Sequence, residues 1–305
     1  MRKDKKMKKV INAFKSNKRR DEVIKSYMLL LEQWGVPVEE KTVFCEYGAT
    51  HINIAGDKSN PPLLLFHGVG DNSALMWIYN AKELSRYFRI YAIDALGGAG
   101  RSVSNTNYAN GFDTLKWLKS LLDNLKIDKA YAAGVSYGSF LVQLLLCYDP
   151  ERIIKGVCMA GGSASAQYSQ KSSVLKKMKI FLPEALFPSK SNCIKLVKKL
   201  SGINVDTFIN NKILFEHWCL LLKYFNNMSM MKHDVEPIKQ EDFIINKNNC
   251  LYIIGDMDKL AYSDESIRAL REPDLNYIII KNAGHPVNHE YPEKVNSLII
   301  DFLLG

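Results

Sequence analysis

The chain has 305 residues, 47% hydrophobic and 24% charged, enough for one large α/β domain with an insertion or for two domains. Its formal charge of +9 is concentrated at one end: residues 1–20 hold ten of the 41 basic and one of the 32 acidic residues, leaving 31 of each in the remainder. A neutral body argues against nucleic acid as a partner, and no apolar run approaches the ~18 residues that cross a bilayer.

Residues 2–20 contain no apolar h-region of a secretory signal. The six cysteines (Cys45, Cys147, Cys158, Cys193, Cys219, Cys250) form no C-x-x-C pair, so they read as reduced thiols in a cytoplasmic protein, with no metal site. Met7, Val10, Ile11 and Phe14 fall at helical spacing among lysines, which predicts a short basic helix whose apolar residues cover the body rather than insert stably in a membrane. A second helix is expected over Glu22–Trp34, capped by Asp21 and ended by Gly35-Val36-Pro37. Strands over Lys41–Tyr47 and His51–Ala55 form a hairpin turning at Gly48-Ala49, with His51 at the surface or an edge.

The run Pro62–Phe66 lacks alternation, as in a strand buried on both faces of a parallel sheet. It ends in His67-Gly68-Val69-Gly70-Asp71. A helical stretch over 73–87, a strand over Arg89–Asp94, a helix over Phe112–Leu125 and a strand from Ala130 follow. Another strand is expected over Ile153–Ala160. Strand and helix thus alternate. Over 163–247 the strand signals vanish and helical segments (Val174–Phe181, Ile194–Leu200, Lys212–Met228) take over. Alternation returns with a strand from Cys250, a helix over Asp264–Arg271, a strand over Asn276–Lys281 and a last helix over Pro292–Leu304. The expected organisation is a basic helical leader (1–37), a first core segment (38–162), a helical lid insertion (163–247) and a second core segment (248–305). His217 and His233 read as helix surface or lid packing. Met178, Phe181, Phe215, Trp218, Tyr224, Phe225, Met228, Met230 and Met231 read as lid core, a few of them lining a pocket.

Gly134-Val135-Ser136-Tyr137-Gly138 stands where an apolar strand meets a helical pattern. This G-x-S-x-G puts a serine on a sharp strand-to-helix turn, with glycines that let strand and helix approach. Asp258 and His285 each follow a later strand. Serine needs an imidazole to take its proton, and the imidazole needs a carboxylate to fix its tautomer. Ser136, Asp258 and His285 therefore read as nucleophile, acid and base. The amides of Val69 and Tyr137 read as the oxyanion hole. His67 is expected to bond backbone behind that loop, Gly68 to admit the substrate, and Gly134 and Gly138 to shape the turn. Asp256 competes with Asp258 for the acid role, His289 is expected to lie past the site at a helix start, and Asp94 to have no acid role.

The motifs HGVGD (67–71), GVSYG (134–138), GDMD (255–258) and NAGHPVNHEYPEKV (282–295) resemble those of the α/β-hydrolase superfamily over residues ~40–305. With Trp34-Gly35-Val36-Pro37 and Thr50-His51-Ile52, they are similar to bacterial carboxylesterases of the naproxen-esterase type. That resemblance implies a mainly parallel, doubly covered sheet with a helical lid, and cofactor-free hydrolysis of a mostly apolar small-molecule ester through an acyl-enzyme; its G-x-x-D register also selects Asp258 over Asp256, leaving Asp256 a turn or surface carboxylate. The chain departs from the pattern at 94–102, where the loop has one extra residue, and at Ser139, which follows the elbow glycine. Carbon–carbon bond hydrolysis, perhydrolysis and non-catalytic ligand binding on the same fold are the alternatives.

Overall fold

The computed structural model of the chain describes residues 10–163, 179–182, 184–233, 236–245 and 247–305. Among them nine strands form one sheet: β1 (Glu39–Cys45), β2 (Gly48–Ala55), β3 (Pro62–Phe66), β4 (Arg89–Ile93), β5 (Val103–Ser104), β6 (Ala130–Val135), β7 (Ile153–Met159), β8 (Cys250–Gly255) and β9 (Asn276–Ile280). Their order is β1-β2-β4-β3-β6-β7-β8-β9, with the two-residue β5 pairing β2. From β4 to β9 all pairings are parallel, while β1, β2 and β5 add antiparallel pairs at one side.

All six residues of β8 are buried, as are the last four of β3 and of β7. Side chains of consecutive strand residues point to opposite faces, so both faces of the sheet are covered. The helix Tyr137–Tyr148 packs on β3, β6 and β7, and the helix Pro292–Leu304 on β7. The chain leaves β3 toward β4 on one side, and later places β6 on β3's other side. The carboxyl ends of β3 and β6 therefore flank the point where the winding reverses, the usual place for a crevice in an open α/β sheet.

Several expectations need correction. The first described helix runs Asn17–Glu32, and its cap is Ser16, whose Oγ accepts from the Arg19 amide. Asp21 lies inside it. Residues 1–9 of the expected leader helix lie outside the described residues, and Val10–Lys15 is not helical. Instead Phe14 bridges Phe225 in antiparallel fashion, with Asn226 N donating to Ala13 O at 2.9 Å. His51 is buried, because β2 is an inner strand between β1 and β4. The stretch 73–87 is two helices, Ser73–Met76 and Ala81–Tyr87.

Between β7 and β8 the described residues hold helices (Lys190–Leu200, Asp206–Ile209, Lys212–Tyr224, Gln240–Ile245) and no strand of the sheet. The helix Lys212–Tyr224 packs on Asn17–Glu32. Most of the helix expected over Val174–Phe181, Met178 included, lies outside the described residues. Met228 and Met231 are exposed rather than packed inside the insertion. All six cysteines are unpaired thiols. No helix of the described residues is long and apolar enough to cross a membrane.

Candidate active site

Ser136 directly follows β6 at φ 56° and ψ −112°, a conformation that is strained for a residue with a Cβ. Surrounding packing holds it there. A Cβ on Gly134 would collide with the Gly138 carbonyl group, and one on Gly138 with the Phe66 carbonyl of β3. Only glycine at both places lets the helix Tyr137–Tyr148 start so close to the sheet. Ser136 N donates to Met159 O at 2.8 Å, and Ser139 Oγ donates to Gly134 O and Met159 O at 2.9 and 2.8 Å. The serine after the elbow glycine thus ties the turn to β7.

The imidazole and the carboxylate are in contact. His285 Nδ1 lies 2.8 Å from Asp258 Oδ2. Asp258 is fully buried, and its other oxygen, Oδ1, accepts from the amides of Leu260 and Ala261 at 2.8 and 3.0 Å. Those two bonds leave Oδ2 for the ring. The His285 side chain stays 18% exposed, and its amide donates to Leu200 O at 2.7 Å. The loop carrying it is braced by Glu290, whose carboxylate accepts from Gly284 N at 2.9 Å and from Gly202 N at 2.8 and 3.0 Å. Burial pushes Glu290 above the usual carboxylate range. The NHEYPEKV stretch contains this acid, but its partners 6 and 88 residues away are beyond reading from spacing.

Loop 67–71 follows β3, the parallel neighbour of β6. A Cβ on Gly68 would stand 3.4 Å from Ser136 Cβ, so the loop passes against the serine. Ala95 N donates to His67 Nε2 at 3.0 Å, so Nδ1 carries the hydrogen and donates to Gly68 O at 2.7 Å. Val69 presents an exposed side chain. Asp71 closes the loop half-buried, with Oδ1 fully buried and without a hydrogen-bond partner. Burial pushes its carboxyl up to about 7, against the lowering influence of nearby His285.

The remaining candidates make other contacts. Asp256 Oδ1 accepts from Asn282 N at 2.7 Å, a turn contact. His289 is buried against Leu75 O at 3.0 Å. Asp94 is a buried tie, accepting from Ser73 N, Ser73 Oγ, Tyr27 Oη and Arg101 N within 3.0 Å. The loop with the extra residue folds back on it, Ser102 Oγ donating to Asp94 O at 2.6 Å. His217 and His233, expected on the helix surface or within lid packing, are both buried and reach core groups: His217 Nε2 meets Asn72 Nδ2 at 2.9 Å. The insertion also touches loop 67–71, since Asn227 Oδ1 would stand 3.3 Å from a Cβ on Gly70. A cleft of about 450 Å³ lies elsewhere, among Lys15, Arg19, Phe187, Lys223 and Tyr224. Among the described residues no group of three or more His, Cys, Asp or Glu could hold a metal ion.

Sheet order, elbow and loop arrangement together are those of the α/β-hydrolase fold, and a family profile of that description matches residues 61–186. Over nearly its whole length the chain is similar to carboxylesterase YbfK of Bacillus subtilis, 24% identical across 92% of this chain and 93% of that protein. The crystal structure of that esterase superposes with a TM-score of 0.76, covering 94% of this chain and 98% of the other. Naproxen esterase from Bacillus subtilis superposes with a TM-score of 0.74 at 21% identity, over 95% and 99% of the two chains. A 2-hydroxy-6-oxononadienedioate/2-hydroxy-6-oxononatrienedioate hydrolase from Klebsiella pneumoniae is 26% identical over 83% of this chain and 90% of its own.

Proposed function

We propose that this protein is a serine hydrolase that cleaves a small to medium, mostly apolar carboxylic ester. The observation that carries the reading is the 2.8 Å contact between His285 Nδ1 and Asp258 Oδ2, taken together with a serine held at φ 56° on a strand-to-helix turn. In this mechanism Asp258 keeps the ring's hydrogen on Nδ1, so that the Nε2 lone pair takes the Ser136 proton. Ser136 Oγ attacks the ester carbonyl carbon, and the carbonyl oxygen becomes an oxyanion held by the amides of Val69 and Tyr137. Collapse expels the alcohol, which takes its proton from the His285 imidazolium. Water, deprotonated by His285, then attacks the acyl-enzyme and frees the acid and Ser136.

The helical insertion is proposed as a lid over this site, supported by its contact with Gly70. The likeness to bacterial carboxylesterases supports the ester as substrate class. Unpaired thiols support a reducing, cytoplasmic setting. The same triad would serve carbon–carbon bond hydrolysis, a reading favoured by the likeness to hydrolases such as the one from Klebsiella.

Incubation with a fluorophosphonate tests the reading. The expected result is one adduct, on the peptide that contains Ser136, absent from Ser136→Ala. An unlabelled wild type, or an adduct elsewhere, would overturn it. Product analysis on a ring-cleavage diketone then separates carbon–carbon cleavage from ester cleavage.

A further inference from the structure

One side chain of the insertion, that of His233, reaches the elbow. His233 Nδ1 lies 2.7 Å from the Tyr137 hydroxyl, and Nε2 lies 2.6 Å from the Leu96 carbonyl oxygen. A carbonyl oxygen can only accept, so Nε2 carries the hydrogen and Nδ1 accepts from Tyr137. Both residues are 7% exposed. The imidazole sits among the rings of Tyr108, Phe112, Trp117 and Tyr137, with centroids between 4.7 and 5.9 Å away. Burial in that box pushes its pKa down to about 4, so the ring stays a neutral acceptor near pH 7. Ser229 fastens the same stretch, its Oγ donating to Gly97 O at 2.5 Å and its carbonyl accepting from Tyr108 at 2.6 Å. Both accepting carbonyls, of Leu96 and Gly97, belong to the loop with the extra residue.

An apolar side chain would fill an aromatic box without two buried hydrogen bonds to satisfy. The imidazole instead spends one nitrogen on the loop after β4 and the other on the residue after Ser136. We propose that His233 is a positioning residue: by holding the Tyr137 hydroxyl, it fixes the residue whose amide stabilises the oxyanion, and so makes the seating of the insertion part of the catalytic geometry. The proposal rests on the serine hydrolase reading. It adds that the insertion acts on the transition state as well as on substrate entry.

Tyr137→Phe and His233→Phe cut this link from either end while keeping a ring in place. Each should lower kcat toward p-nitrophenyl butyrate roughly 3- to 10-fold, the worth of one neutral hydrogen bond, with KM changed less than about twofold because the oxyanion forms only in the transition state. The double variant should be no slower than the slower single variant, since both remove the Tyr137–His233 bond and His233→Phe already removes the bond to Leu96 as well. His233→Gln, which can donate and accept, should recover part of the loss. Rates are taken per site titrated with fluorophosphonate, so loss of folded protein does not mimic the effect. Tyr137→Phe, the deletion of one oxygen atom, carries the test alone should His233→Phe not fold. Unchanged kcat per site in Tyr137→Phe, or losses that multiply in the double variant, would overturn the link. A wild type that neither turns over the ester nor takes the label at Ser136 overturns the serine hydrolase reading instead.

Discussion

Asp258→Asn removes one charge and one acceptor from the candidate site while keeping its shape. The single amide oxygen of asparagine would stay with the Leu260 and Ala261 amides, which Oδ1 now serves at 2.8 and 3.0 Å. The amide NH₂ then faces His285 Nδ1, where Oδ2 now stands at 2.8 Å. Two donors cannot share that contact. The imidazole answers by changing tautomer, placing its lone pair on Nδ1 and its hydrogen on Nε2, where the serine proton has to go. Loss of the base in this way costs roughly 10⁴-fold in kcat where a buried triad carboxylate is replaced by its amide, or about 5 kcal/mol of transition-state stabilisation. The assay is hydrolysis of p-nitrophenyl acetate between pH 6 and 9, with circular dichroism to check the fold. A variant that keeps its structure and more than a tenth of the wild-type rate would refute the assignment of Asp258.

Three further outcomes follow from the geometry. Gly134→Ala drives a Cβ into the Gly138 carbonyl group, and backbone there cannot yield without lifting the helix off β6; a loss of about 1–3 kcal/mol or more is expected in urea unfolding, and an unchanged midpoint would contradict the packing. Phe14→Ala removes the ring that meets Phe225 at 6.3 Å and should cost on the order of 2–3 kcal/mol, read as a lower Tm; no shift would mean that the arm adds nothing to the fold. Asp71 has a carboxyl raised to about 7, so its ionisation is resisted in the folded protein. The resulting penalty is absent below the ordinary aspartate range and complete above pH 7, and Asp71→Asn should stabilise the protein at pH 8 but not at pH 4. Because the residue is half-buried, the gain is on the order of 1–2 kcal/mol; an equal effect at both pH values would show that burial does not hold the proton on.

The parallel core was readable because a strand covered on both faces shows as an unbroken apolar run, as in 62–66, 130–135 and 250–255. The helices Asp264–Arg271 and Pro292–Leu304 fall where the pattern puts them, being amphipathic and punctuated by Ser263 and Pro292. The first helix began five residues early because its opening turn is charged, and its cap, Ser16, lies amid basic residues that mask the periodicity. β5 and the helix Thr106–Gly111 are too short and polar to carry a period. The positions of Ser136, Asp258 and His285 after β6, β8 and β9 were legible, since each type stands next to a strand end. What holds them was not. His51 is buried only because β2 finds β4, Glu290 braces one amide within the insertion and one beyond it, and His233 meets Tyr137 across 96 residues of chain. Contacts of that kind leave no local signature in a single sequence.

The most direct test of the account compares wild type with Ser136→Ala on p-nitrophenyl esters from acetate to palmitate. The account predicts turnover by wild type, with an optimum chain length set by the space beneath the insertion, and loss of turnover to the uncatalysed rate in Ser136→Ala. Turnover that survives the substitution would contradict the nucleophile, and silence from the wild type across the whole series would contradict the ester as substrate.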